Sequence, residues 1–459
     1  MTKVCIIGAG TYGCYLANTI LEKNPDQQII LVEVGGAQIK SEAEVGFTSV
    51  SVNKNYNATT KGRYFGLGGT SAMWGGQLLF FSENDCKNDT SIKEVVDCNI
   101  EYKDKVLSRF FTKDTSLAEI PLDGGLYKKQ GVWLKFGQRN MYHHFNIGKR
   151  KNIKVIQNSR VISVNHESGT VRSISIKNGQ DISQITADRF YLTCGAFENA
   201  RLLATSNLGN IAELTKGFAD HVSLRCFTIK NSKPTINGLD FQYQFKNNSL
   251  ITSRIIGEIE GSAFYMQPVF NEKFIIFQAI KNVIFKKKFI PEQFIAALSQ
   301  AFHIPLFVYS YFIKKRLYVY KSWDINLDME VDGDQNEVSF AGTDGTGQKG
   351  IKVDFTVPPT TLKKLEQAKN KIKSLLQSSN VDFIELDETV HVNKLEDTYH
   401  PFNFYDASKH SCKDLIQPLN NLFQFSTGIL SRAGGLNPSA TVFCIIEKHV
   451  QEEYKRTVT

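Results

Sequence analysis

Lys3-Val4-Cys5-Ile6-Ile7-Gly8-Ala9-Gly10-Thr11-Tyr12-Gly13 opens the chain with a short apolar run that breaks into three spaced glycines. Five consecutive apolar-leaning residues suit a strand buried on both faces. Leu16, Ala17, Ile20 and Leu21 follow at helical spacing, and Pro25-Asp26 marks the end of that helix. A second buried run, Ile29-Ile30-Leu31-Val32, ends at Glu33, which lies 20 residues beyond Gly13. Strand, glycine turn, helix, strand and acid together form a dinucleotide-binding unit. Gly8 makes the tight turn, Gly10 lets main chain approach a pyrophosphate, and Gly13 lets the helix pack on the strand. Thr11 starts the helix whose N-terminus faces the phosphates, and Glu33 can accept from a ribose diol. An acid at position 33 would repel a 2′-phosphate, which disfavours NADP.

A second glycine run, Gly66-Leu67-Gly68-Gly69-Thr70-Ser71-Ala72-Met73-Trp74-Gly75-Gly76, decides between the remaining dinucleotides. Bare backbone here lets main chain press against a larger, flatter ligand than NAD, which points to FAD. A third place for close approach follows the strand Arg189–Thr193, where Cys194-Gly195-Ala196 leads into the amphipathic helix Phe197-Glu198-Asn199-Ala200-Arg201-Leu202-Leu203.

Bulk properties bound the rest. A chain of 459 residues exceeds one ordinary core, so two domains are expected. Hydrophobic residues make up 42% and charged residues 22%, as in a folded, soluble-type protein. The first strand begins at residue 3, an expectation of no leader peptide, and eight scattered cysteines without a CxxC pair suit a reducing cytoplasm. Cys5 and Cys14 read as small buried hydrophobes. No His cluster stands at ligand spacing, so no metal is expected. A net charge of +8 without a helix-turn-helix or RNA-binding signature argues against nucleic acid as a partner.

Residues Ser82 to about Leu126 are polar without clear periodicity and read as loop and short helices. Strands are expected at Lys154–Ile156, Arg160–Val164, Val171–Ile176 and Arg189–Thr193. Between about Val222 and Thr389 the texture becomes α+β. Ile351, Val353, Phe355 and Val357 alternate with polar residues as in a half-buried strand, and Leu362, Leu365, Ile372, Leu375 and Leu376 line one helix face. Asn421–Phe425 reads as a returning strand, before Ser426-Thr427-Gly428 and Gly434-Gly435-Leu436-Asn437-Pro438 open the last helix. The expected fold is α/β: a discontinuous Rossmann-like domain, 1–221 and 390–459, with an α+β substrate domain, 222–389, inserted.

Four segments in this order resemble the glucose-methanol-choline (GMC) family of FAD-dependent oxidoreductases. They are the first fingerprint, Gly66 to Ser71, Gly195-Ala196 with Glu198-Asn199 and Arg201-Leu202-Leu203, and Gly434 to Pro438; the Asp-His pair usual in the family is matched by Asp220-His221. The resemblance implies an FAD-binding domain of the GMC/p-hydroxybenzoate-hydroxylase type. It implies that Gly68, Gly69, Thr70, Ser71, Trp74 and Gly75 meet the cofactor, joined by Val161, Gly195, Ala196 and Asn199, and by Thr427, Gly428, Asn437 and Pro438. It also places a catalytic His at His400, with Asn437 as its partner. A neutral imidazole suits removal of a hydroxyl proton near neutral pH, and Asn can hold the substrate oxygen without taking a proton. The family's pattern after that His is absent in His400-Pro401-Phe402-Asn403-Phe404-Tyr405-Asp406, so His391 and His410 stay open as alternatives. Some sugar-active members attach FAD through a His immediately before the Trp. Met73 stands there, so non-covalent FAD is expected.

The resemblance implies oxidation of an alcohol, with a sugar or polyol favoured as substrate, carried on a lipid or nucleotide in one version, and an electron acceptor left unidentified. Three alternatives stay open: flavin-dependent epimerisation or isomerisation of a sugar without net oxidation, a non-catalytic membrane-surface flavoprotein, and an NAD-dependent dehydrogenase, which the second glycine run disfavours. Lys286-Lys287-Lys288 and Lys314-Lys315-Arg316 bracket an aromatic and aliphatic segment, Phe289 to Ile313. That segment, with its basic ends (286–316), reads either as a contact with the inner face of the membrane or as core of the substrate domain or a dimer contact, with the lysines solvated.

Overall fold

A computed structural model describes residues 2–455, apart from 54–55, 88, 114, 209–216, 231–234, 237–238, 241–242, 248, 270–273, 287–288, 321, 388 and 406–411. Lys3–Ile7 is the central strand of a five-stranded parallel sheet, flanked on one side by Gln28–Val32 and Ile153–Ile156. Arg189–Leu192 and Leu422–Gln424 lie on its other side, so the C-terminal return closes the nucleotide sheet. The first helix, Thr11–Lys23, and the last, Ser439–Lys455, pack against each other; Tyr15 stacks on Phe443 at 4.2 Å between ring centroids. Arg160–Glu167, Thr170–Asn178 and Asp181–Ile185 form a three-stranded antiparallel meander beside this unit.

The second layer is a ten-stranded antiparallel sheet built mainly from His221–Lys230, Ser249–Ile259, Ser262–Val269 and Ser322–Glu330. The helix Pro359–Ser378 covers it, burying Leu365, Ala368, Ile372, Leu375 and Leu376 against Leu224, Phe227, Ile325 and Leu327. The sheet also recruits Gln77–Leu78 and Tyr127–Trp133 from the first half of the chain.

Three details depart from the sequence reading. The stretch 82–126 contains a 16-residue helix, Lys93–Ser108, packed on the last helix. Its inner face, Val95, Val96, Cys98, Tyr102, Val106 and Leu107, is interrupted by the buried Asn99, which hides the periodicity. Asn99 belongs there because its amide donates to the Val95 carbonyl and accepts from Phe81 N and Thr441 Oγ1. The alternating strand runs Gly350–Asp354 rather than to Val357, between Glu337–Ala341 and Ser49–Ser51. Val338, Ile351 and Val353 join the hydrophobic core of the nucleotide unit, not that of the large sheet.

Candidate active site

The two glycine runs are joined. Gly68 N donates to Ala9 O at 2.8 Å, and the Cα atoms of Gly10 and Gly69 face each other. Gly8 has φ +101°, and a Cβ there would sit 2.8 Å from Thr193 O, so only glycine makes this turn. Buried Glu33 clasps the assembly: its carboxylate accepts from Ala9 N, Gly35 N and Gly66 N, each at 2.9 Å. Burial raises its pKa, opposed by those amides. The acid read as a ribose acceptor is therefore also the tie between both glycine runs.

A continuous cavity starts at this turn. Gly8, Gly10, Thr11, Glu33, Gly69, Thr70, Trp74 and Val161 line it, with Gly195 and Ala196 from the third close-approach segment. The same lining includes His400, Pro401, Thr427 and Pro438; Asn437, next to Pro438 in the chain, is not part of it. The remaining sequence candidates support the wall from behind. Gly13 packs on Gly8. Ser71 Oγ donates to Gly68 O at 2.6 Å and accepts from Met141 N. Gly75 lies against Trp133, and Gly428 against Ala196 and Phe404. Asn199 closes the turn after Leu192, donating to Leu192 O and accepting from Cys194 N.

His400 is set by a local irregularity. Val222 and Ser223 pair with Asp397 and Glu396, and Ala219 bridges Phe402 through two backbone hydrogen bonds of 2.8 and 3.0 Å. The register slips between these points, so 398–401 bulges out, with Tyr399 at φ +63°. His400 sits in that bulge opposite Asp220 and His221. Asp220 accepts from the backbone N–H of both His400 (3.0 Å) and His221 (2.7 Å), and from Tyr56 and Thr398 hydroxyls. Burial pushes the Asp220 carboxyl up to about 7. The His221 and His400 rings are 6.1 Å apart, edge to face. His221 Nε2 is 2.7 Å from Gly434 O, while the buried His400 Nδ1 has no partner.

Asn437 is oriented by a residue that sequence reading passed over. Arg254, 2% exposed in the middle of a strand, donates to Asn437 Oδ1 (3.0 Å), Gln77 Oε1 (2.8 Å) and Gly435 O (3.4 Å). Guanidinium only donates, so the Asn437 atom facing it must be the carbonyl oxygen; the amide NH₂ gives one long bond to Gln77 Oε1 (3.5 Å) and keeps its second hydrogen for another acceptor. Burial, with the nearby His221 and Arg254, holds His400 well below its ordinary pKa, and hence neutral at pH 7. The loop leading to Asn437 is anchored by Glu330, which accepts from Gly434 N (2.7 Å) and Ala433 N (3.1 Å) and pairs with Arg432 at 2.6 Å.

No protein-family model matches this sequence, and no curated protein does. Solved structures match over the whole chain. They include pyridoxine 4-oxidase from Mesorbium loti (13% identity, TM-score 0.61, 99% of each chain). A formate oxidase (12%, TM-score 0.55, 99% of each) and a fungal aryl-alcohol oxidase (11%, TM-score 0.56, 100% of this chain and 99% of that one) also match. The chain has the glucose-methanol-choline oxidoreductase fold.

In this GMC fold the other histidine candidates are placed apart from the cluster or not at all. His391 is exposed and bonded to Thr389 Oγ1, away from the cavity lining, and His410 lies outside the described residues. Contrary to the expectation of no His cluster, Asp220, His221 and His400 bring one ligand-type atom each within 4.8 Å. Asp220 serves this group as a hydrogen-bond hub, taking His221 N, Thr398 Oγ1 and His400 N on Oδ1 and the Tyr56 hydroxyl on Oδ2. Cationic residues absent from the sequence candidates also line the cavity. Arg63 and Arg201 bind Glu198 at 2.9 and 2.8 Å, and Arg160 lies beside it. Burial alone would raise the Glu198 carboxyl; these guanidinium groups bring it down to about 2.

Proposed function

We propose that this protein binds FAD non-covalently and oxidises the CH–OH group of an alcohol, with a sugar or polyol as the favoured class. The observation that carries this reading is the single cavity joining the Gly8–Thr11 turn and Gly69-Thr70 to His400 and Pro438. The residues present fit the cofactor: space is open at Gly10, where a Cβ would meet nothing nearer than 4.0 Å, and at Gly195, where it would meet nothing at all within 4 Å. The N-terminus of the first helix would face the pyrophosphate, and the flat ring would lie toward His400. FAD bound here would supply the acceptor for the carbinol hydride. The imidazole of His400 takes the hydroxyl proton as the hydride leaves, so the alcohol becomes a carbonyl. The Asn437 amide, aimed by Arg254, donates to the substrate oxygen and stabilises negative charge growing on it. Asp220 holds the His400 backbone in place and touches no substrate.

A flavin-bleaching screen under anaerobic conditions tests the reading: sugars and polyols are expected to reduce the bound flavin. A colourless protein, or a flavin that no alcohol reduces, overturns it. Two further results are expected. Acid precipitation releases all flavin into the supernatant, because Met73 stands where a covalent attachment would require His; colour left in the pellet overturns that. In an Asp220→Asn variant, which removes the neighbouring carboxyl that titrates at about 7, the rate of flavin reduction stays flat as pH falls from 8 through 6.5, because burial, with His221 and Arg254 nearby, keeps His400 neutral there. An inflection at the ordinary histidine value would place the base elsewhere.

A further inference from the structure

In sequence, an excursion separates Ser262–Val269 from Ser322–Glu330, strands that pair directly, with Val269 opposite Asp324. The helices Pro291–Leu298 and Ile304–Phe312 belong to it. Their side chains are arranged inside out. Phe289, Ile295, Leu298, Phe302, Phe312 and Ile313 are each 59–72% exposed, and none belongs to a hydrophobic core. Glu292 and Ser299 are exposed, but four other polar side chains turn inward. Gln293 accepts from Asn282 Nδ2 at 2.7 Å, Gln300 accepts from Ile275 N at 2.9 Å, and His303 Nδ1 bonds the Tyr318 hydroxyl at 2.8 Å. Ser310, 8% exposed, donates to Arg316 O. The alternative of a substrate-domain core is thereby removed for this segment.

We propose that this face docks on the surface of an anionic lipid bilayer. A surface that turns most of its polar groups inward and shows large apolar ones is matched by the edge of a hydrocarbon layer rather than by water alone. Charge selects the kind of bilayer. Exposed Lys314, Lys315 and Arg316 follow the apolar face directly, with Lys314 Nζ 5.6 Å from the Tyr309 ring, where aromatic and basic groups meet a head-group layer. At the other end the sequence adds Lys286 to Lys288; the side chain of Lys286, and Lys287 and Lys288 altogether, lie outside the described residues. Among the described residues no single helix is long and apolar enough to cross a membrane; Pro291–Leu298 and Ala301–Phe312 reach the length and composition of a span only as a pair, bent by 69° at their junction. The two pieces would reach across a hydrocarbon core of about 30 Å only if set end to end. The bend between them and the exposed carboxylate of Glu292, costly in hydrocarbon, place the segment in the interface instead. Two copies joined through this face would bring basic rims of like sign together.

Flotation of the full-length purified protein tests the proposal, using vesicles of phosphatidylcholine alone or mixed with phosphatidylglycerol. The protein is expected to float with the mixed vesicles at low salt, less with phosphatidylcholine alone, and less as salt rises. The double variant Leu298→Ser/Phe302→Ser should stay at the bottom while keeping its thermal transition, since both side chains are exposed. Lys314→Glu/Lys315→Glu should lower binding roughly tenfold or more. Three results overturn the proposal: wild type remaining at the bottom with the mixed vesicles at low salt, the serine variant floating like wild type, or light scattering showing a dimer that does not float and that the serine variant splits.

Discussion

Replacing His400 with alanine is expected to slow flavin reduction by substrate about 10²–10⁴-fold, the range for losing a positioned acid–base group. Flavin content should be unchanged. The bonds that place residue 400 run from its backbone N–H to Asp220 and from the flanking Ala219–Phe402 bridge, and alanine keeps them all. What alanine removes is the ring, whose buried Nδ1 has no partner and whose loss therefore orphans no other group. His391→Ala is the matched control, expected to react at the wild-type rate, because that side chain is exposed beyond the cavity. Stopped-flow reduction under anaerobic conditions reads all of these. A His400→Ala protein that reduces its flavin normally, with a slow His410→Ala protein, moves the base to the other histidine.

The nucleotide half was legible because its constraints are local. Each glycine of the first run answers to atoms within one strand–turn–helix unit, and the apolar runs announce strands buried on both faces. The second run's glycines announce a close backbone approach, but that its Gly68 meets Ala9 of the first run was visible only in the structure. The alternation at Ile351–Val357 correctly announces a half-buried strand, but its partners, Glu337–Ala341 and Ser49–Ser51, are chosen by tertiary packing that periodicity does not encode. Arg254 was missed for a related reason. A single arginine in Ser249–Ile259 reads as an outward-facing residue of an edge strand, whereas its guanidinium turns to three acceptors brought from Gln77, Gly435 and Asn437. The one signal available was a charge amid an apolar, β-branched strand, which is costly unless partnered. His400 was found only by resemblance. The bulge that exposes it depends on pairing between residues about 180 positions apart.

Two neighbouring glycines should fail in different ways when replaced by alanine, and the contrast separates packing from ligand contact. At Gly13 a Cβ would stand 1.9 Å from Gly8 O and 2.7 Å from Thr193 Oγ1. Neither can retreat: Gly8 N is bonded to Val32 O at 2.7 Å, and the Thr193 hydroxyl to Ile7 O and Gly8 O at 2.8 and 2.9 Å. Alanine in a helix ordinarily stabilises by up to about 1 kcal/mol over glycine, but overpacking of this kind costs about 1–3 kcal/mol or more. The net sign is destabilising, so Gly13→Ala should lower the thermal transition of the flavin-free protein by several degrees and also lose flavin, because the turn above it is displaced. At Gly10, φ is −84° and the nearest atom to a Cβ is Gly69 Cα at 4.0 Å, so alanine fits the empty protein without strain. Its methyl group would project into the cavity where the pyrophosphate is proposed to lie. Gly10→Ala should therefore leave the flavin-free transition within about 0.5 kcal/mol of wild type and purify with little or no flavin. Full flavin content in Gly10→Ala would show that the cofactor does not pass this wall, and an unchanged transition in Gly13→Ala would show that the helix does not seat on Gly8 as described.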